Sequence, residues 1–179
     1  MELVLPNLED DPRTRVLMLE ELEYDLPRNE VYRSTRLTEV GWRAWPALLR
    51  EALERYEPQW LELQSKQAGY WLSHEISRRG SKEYRKAVPF DAAQTLAEGQ
   101  FVRYYLRAVS RRAADDGHAL EVVRLKQVQQ PRSMSVRLFG TFVDPVQLLE
   151  SLRQNLGIDP FLGIPPGPNS GLGVVIVPN

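Results

Sequence analysis

From Asp91 to Gly117 the chain spells one long amphipathic helix of about 24 residues, and a rod of that length sets the terms for whatever packs against it. Asp91 is suited to cap its N-terminus, with Gln94 three positions further on. Leu96, Phe101, Val102, Tyr105, Leu106 and Val109 carry the apolar pattern, and Asp115-Asp116-Gly117 stop it. On the same helix Arg103, Arg107 and Arg111 recur every four residues and form one ridge, with Gln100 at its start and Tyr104 and Arg112 alongside.

Upstream of this rod the pattern is also helical. Leu49, Leu53 and Tyr56 share a face, and Pro46 suits the first turn of the helix that carries them. Pro58 restarts the chain, and Trp60, Leu61, Trp71, Leu72 and Ile76 fit a second helix running to Arg79, with Gly80 as its stop. The cluster Trp42, Trp45, Trp60 and Trp71 reads as the core of this helical hairpin, with a stacking platform as the alternative. Downstream the period shortens. Segments 119–128 and 133–139 predict two antiparallel strands, Asp144-Pro145 caps a short helix over 146–155, and 174–177 is a last strand. The fold class expected is α+β: a helical N-terminal half (helical hairpin plus one long helix), then a small, mainly antiparallel sheet with one short helix.

A length of 179 residues fits one domain with an appended arm. Pro6, Pro12 and Pro27 punctuate the first segment, so residues 1–37 read as an extended acidic arm. Residues 38–179 read as a single α+β domain with a Gly/Pro-rich loop at 163–173 before the final strand. The net charge of −1 conceals an imbalance: residues 1–30 carry nine acids against three bases, and residues 31–90 carry eleven bases against seven acids. Acidic arm and basic middle are therefore expected to attract each other, within one chain or between copies.

Much chemistry is missing from the page. With no cysteine, thiol nucleophiles, disulfides and Cys-ligated metals are excluded. His74-Glu75 lacks the second histidine of a HExxH site, because Arg78 stands in its place. Asp115, Asp116 and His118 are explained by helix-ending turn chemistry, and only their meeting with His74 and Glu75 would suggest an active site. The loop at 163–173 lacks the Gly-Lys-Ser/Thr ending of a phosphate-binding loop. We therefore expect no catalytic residues, no cofactor and no metal. The acidic N-terminus does not resemble a signal peptide and no apolar run is long enough to span a membrane, so a cytoplasmic or particle-incorporated protein is expected.

Two surfaces remain as functional candidates. The basic one comprises Arg103, Tyr104, Arg107, Arg111 and Arg112 on the long helix, with Arg78, Arg79, Lys82, Arg85 and Lys86 in a polar loop. The acidic one comprises Glu9, Asp10, Asp11, Glu20, Glu21 and Glu23 in the arm. The leading expectation is a non-enzymatic assembly or interaction protein, a self-assembling or virion-type head or connector subunit, whose acidic arm docks on a basic surface of another copy or a larger assembly. The alternative is a nucleic-acid-binding accessory protein that uses the arginine ridge and the basic loop, since clustered Arg with interleaved Tyr suits phosphate and bases. An enzyme with an unrecognised site ranks third.

Overall fold

The structure, a computed structural model, describes residues 3–127, 133–157 and 171–178. In chain order its elements are α1 (Arg13–Asp25), α2 (Glu39–Arg55), α3 (Pro58–Ser65), β1 (His74–Arg79), β2 (Lys82–Ala87), α4 (Ala92–Asp116), β3 (Ala119–Arg124), α5 (Ser133–Leu138), β4 (Phe142–Val143), α6 (Pro145–Gln154) and β5 (Leu172–Val177). A 3-10 turn, Leu26–Arg28, follows α1. The class is α+β, helices first.

The long helix α4 is the axis of the molecule. Eighteen of its twenty-five residues are buried, which no one-sided helix achieves, because α1, α2, α3, α6 and the β3–β5 strands surround it. Gly117 at φ 67° closes it, with its N–H turned back onto the last turn. Beyond it β3 takes the centre of a three-stranded antiparallel sheet in the order β4-β3-β5, with Leu120 opposite Ile176 and Val122 opposite Val174. Leu120, Val122 and Val174 face the core. The α6 helix starts where expected, its Asp144 Oδ1 accepting from Gln147 N at 2.8 Å.

Four expectations need correction. The segment expected to be an extended arm contains α1, whose Met18 and Leu22 are fully buried against α4, worth about 1.5–3 kcal/mol each. Pro12 and Pro27 flank this helix and do not break it. Pro46 lies inside α2, not in its first turn; the helix begins earlier, at a Thr38 cap that accepts from Gly41 N at 3.1 Å. The second helix of the hairpin stops at Ser65, and residues expected to prolong it form β1, paired with β2 around a Gly80-Ser81 turn. Gly80 sits at φ 61° and Ser81 at negative φ, the sign pattern of a type II′ hairpin turn.

The fourth correction is the sheet. Residues 133–138 are helix α5 and not the partner of β3. Both edges of β3 are taken by β4 and β5, so no place is left beside it. The final strand is present and begins two residues earlier than expected, at Leu172. Residues 163–170 of the Gly/Pro-rich loop lie outside the described residues. Among the described residues, no helix is long and apolar enough to cross a membrane.

Candidate interaction surface

The arginine ridge of α4 faces inward. Glu21 and Asp25 lie one helical turn apart on α1 and meet it directly. Arg107 is fully buried; its Nε donates to Glu21 Oε2 at 2.7 Å, and its terminal nitrogens donate to both oxygens of Asp25 at 2.6 and 2.9 Å. Tyr104 adds its hydroxyl to Asp25 Oδ2 at 2.9 Å. Arg111 reaches Glu21 at 3.2 Å and Glu20 at 2.8 Å, and Arg153 from α6 donates to both oxygens of Glu21 at 2.9 and 2.5 Å. Arg103 turns to α6, donating to the carbonyls of Leu152 and, at 2.9 Å, of Leu156.

Arg112 continues the pattern at the other end of α1. Its Nη1 donates to Asn7 O, Asp10 Oδ1 and Thr14 Oγ1 at 3.1, 2.8 and 2.7 Å. Asp11 accepts from Arg13, which also clamps Asp116 through two bonds of 3.0 and 2.7 Å. Glu9 pairs with Arg15 at 2.7 Å, and Glu23 pairs with Arg50. Each of the six acidic candidates is thus engaged by an arginine of the same chain. The arginines that engage them are not those of the basic middle, of which only Arg50 takes part; they are Arg13 and Arg15 of the same N-terminal segment and Arg107, Arg111, Arg112 and Arg153 beyond residue 90, and Arg107 and Arg112 are buried.

The electrostatics follow from this pairing. Burial pushes the Glu21 carboxyl up, but the guanidinium groups of Arg153 and Arg107 overcome it and hold Glu21 below its ordinary range. Asp10 behaves alike: burial opposes ionisation and the bonds from Arg112 and Asn7 prevail. Burial, then the Asp25 carboxylate, raise the Tyr104 hydroxyl far above the usual phenol range. Burial lowers Arg107 while its bond to Asp25 raises it, with a net rise, so the cation stays charged in the core.

The other half of the basic set is differently placed. Arg78, Arg79, Lys82, Arg85 and Lys86 lie on the β1–β2 hairpin, a two-stranded ribbon with no third strand among the described residues. Every residue of β2 is exposed, as are four of the six of β1. Five bases oppose two acids over residues 74–87, a net charge of +3. Register sorts the two faces. One carries Ile76 beside Arg85 and Arg78 beside Glu83; the other carries Tyr84 beside Ser77, Lys86 beside Glu75, and Arg79 beside Lys82. Arg78 is tied to Glu83 and Lys86 to Glu75 at 3.1 Å, whereas Arg79 and Lys82 make no ion pair among the described residues. Ile76 is 66% exposed, and Phe90, just past the hairpin, is 98% exposed. These exposed apolar residues are not among the sequence candidates; Ile76 is the one apolar residue of β1, so no hydrophobic pattern marks it.

At the foot of the hairpin lies a cavity of about 260 Å³, lined by Tyr32, Arg36, Glu75, Thr95 and Gln100 among others. Arg36 donates to both oxygens of Glu75 at 2.7 and 3.3 Å and, with Lys86, holds that carboxyl below its ordinary range. Gln100 is fully buried, and among the described residues neither atom of its amide finds a partner.

The residues weighed for catalysis are not brought together. Glu75 lines a cavity with Ala92 in the first turn of α4, while His118 follows the other end, about 36 Å of helix away. Asp116 is held by Arg13, whose bond lowers its carboxyl. No group of three or more His, Asp or Glu with metal-binding geometry occurs among the described residues. No family model, curated protein or solved structure matches this chain.

Proposed function

We propose that this chain is a non-enzymatic assembly subunit that joins its neighbours through the β1–β2 hairpin. The supporting observation is a largely exposed basic ribbon with no third strand among the described residues, anchored at its foot by Glu75 and carrying Ile76 and Tyr84 exposed. A lone two-stranded hairpin is at best marginally stable in water, and unpaired strand edges are templates for association. Apolar side chains kept on such an element favour a partner that covers them. The setting is that of a self-assembling or virion-type particle, a head or connector subunit. The basic element of the contact is the hairpin and not the α4 ridge, whose Arg107 and Arg111 bond to the acids of α1 within the chain. Full-length protein is to be followed by light scattering at about 50 mM and about 500 mM salt, beside a variant with residues 74–87 replaced by a short Gly-Ser turn. Salt-sensitive oligomers that the variant fails to form support the role. A monomer under both conditions rejects it.

A second reading is favoured by one observation: Arg79, Lys82, Tyr84 and Lys86 share a face of a two-stranded ribbon, a shape that the DNA major groove admits. The contact would then be to nucleic acid, and loss of Arg79 or Lys82 would each lower the salt slope of log K by about 0.7–0.9. Absence of binding at about 50 mM salt would remove it. The overall charge of −1 favours assembly, since dedicated nucleic-acid binders are usually basic.

A further inference from the structure

We infer that the hairpin of one copy docks in a groove between α1 and α2 of the next, a head-to-tail contact between unlike surfaces. The inference rests on the hairpin being the contact element. The groove is open, about 580 Å³, and lined by Val16, Leu19, Glu20 and Glu23 of α1 with Arg50 and Glu54 of α2. Val16, one of the apolar residues of this lining, is 55% exposed. Val16, Leu19, Glu20 and Glu23 recur at helical spacing on one outward stripe of α1. The groove is an apolar floor rimmed by three carboxylates and one guanidinium. Arg111 shares Glu20, and Arg50 pairs with Glu23, but among the described residues Glu54 has only the adjacent Arg55, at 3.4 Å.

The hairpin carries the inverse arrangement. Ile76 projects from one face with Arg85 directly across the ladder and Arg78 two residues along the strand, where Arg78 is shared with Glu83 opposite it. An apolar knob flanked by cations is matched to an apolar floor flanked by carboxylates. Both surfaces are exposed in the same chain, so the hairpin does not occupy its own groove. A hairpin of net charge +3 repels another hairpin, so association of like surfaces is disfavoured. A second copy offers the complementary groove. Because the two surfaces differ, the contact does not close on itself as a two-fold dimer; repetition gives a ring or a filament.

The test uses full-length protein and sedimentation velocity across a concentration series at about 50 mM salt. One variant is Arg78→Glu with Arg85→Glu, the other Glu20→Lys with Glu54→Lys, and thermal melts verify that both are folded. Arg78→Gln with Arg85→Gln serves as a milder hairpin variant. The wild type is expected to associate, each charge-reversal variant to weaken association at least tenfold, and their equal mixture to recover complexes by joining an unaltered hairpin to an unaltered groove. If the hairpin variant disperses the assembly and the groove variant associates like wild type, the groove is wrong and the role of the hairpin survives. If wild type is monomeric throughout, or the hairpin variants associate unchanged, both fall.

Discussion

Arg107 donates from its two terminal nitrogens to the two carboxylate oxygens of Asp25, at 2.6 and 2.9 Å, and neither side chain is exposed to solvent. The pair joins α1 to the central helix across 82 residues of sequence. A buried ion pair contributes little net stability, since desolvation consumes most of the Coulomb gain. What it supplies here is register. Glu21 and Asp25 stand one turn apart opposite Arg107 and Arg111, and sliding α1 along α4 would leave several charges unpaired in the core.

Breaking this pair from one side therefore costs more than the pair is worth. Asp25→Ala leaves Arg107 with Glu21 alone, and Arg107→Ala leaves the Asp25 carboxylate with the Tyr104 hydroxyl while Glu21 keeps Arg153 and Arg111; each is expected to lose about 3–5 kcal/mol of unfolding free energy. Urea denaturation measures it, and the Arg107→Leu/Asp25→Leu double variant should lose clearly less than the sum of the single changes. A loss below about 1 kcal/mol for either single variant contradicts a buried pair.

Acid should unfold the protein early. Glu21, Asp10, Asp11, Asp116 and Glu75 are all held below their ordinary ranges by arginine partners. The unfolded chain thus binds more protons as pH falls. The stability from these groups is present above the ordinary carboxylate range near pH 4–4.5 and is lost as pH drops through their lower folded values. Urea midpoints should be level from pH 7 to about 5 and fall steeply below about 4.5, with a shallower fall in Glu21→Gln. A flat midpoint down to pH 3 would contradict these assignments.

The buried stripe of α1 explains why it was misread as an arm. Thr14, Met18, Glu21, Leu22 and Asp25 follow helical spacing, but an apolar pattern counts only two of the five. The acids at core positions make sense only against Arg107 on a distant helix. Likewise, the spacing of Arg103, Arg107 and Arg111 shows that they share a face of α4 but not that the face is enclosed. Elements with local signals were legible: α4, and α6 with its Asp144 cap. The hairpin was not, because period-2 alternation is read from apolar residues, and the partly covered side of β1 carries Glu75 and Ser77 instead.

Gln100 is expected to be a site where a loss of polarity stabilises. Its amide is fully buried and, among the described residues, neither atom is partnered, a cost of about 1–3 kcal/mol. Gln100→Met keeps the unbranched shape and removes both unpaired groups. The melting temperature should rise by about 2–4 °C for each kcal/mol recovered in a chain of this size. A fall instead would mean that the amide is paired in solution.

At Gly41 the usual helix rule should reverse. Glycine to alanine inside a helix ordinarily gains up to about 1 kcal/mol. A Cβ here would lie 2.3 Å from the carbonyl oxygen and 2.9 Å from the Cα of Tyr70, both backbone atoms. Thr38 hydrogen-bonds to that same carbonyl, so Tyr70 has little room to withdraw. Gly41→Ala is expected to destabilise by about 1–3 kcal/mol in urea titration, and a gain would show that Tyr70 moves aside freely.

The hairpin and α4 should differ most in hydrogen exchange. Local opening costs least where few apolar contacts must be broken, and β1–β2 buries no apolar side chain, whereas eighteen residues of α4 are buried. In the monomeric Arg78→Glu/Arg85→Glu variant, amides of residues 74–87 should exchange many-fold faster than those of 100–110. In wild type at associating concentration the same hairpin amides should slow, since docking removes the open ribbon from solvent. The amides of α4 should be unchanged between the two samples. Hairpin protection equal to that of α4 in the monomer would show that the ribbon is stable alone, and it would then need no neighbour to order it.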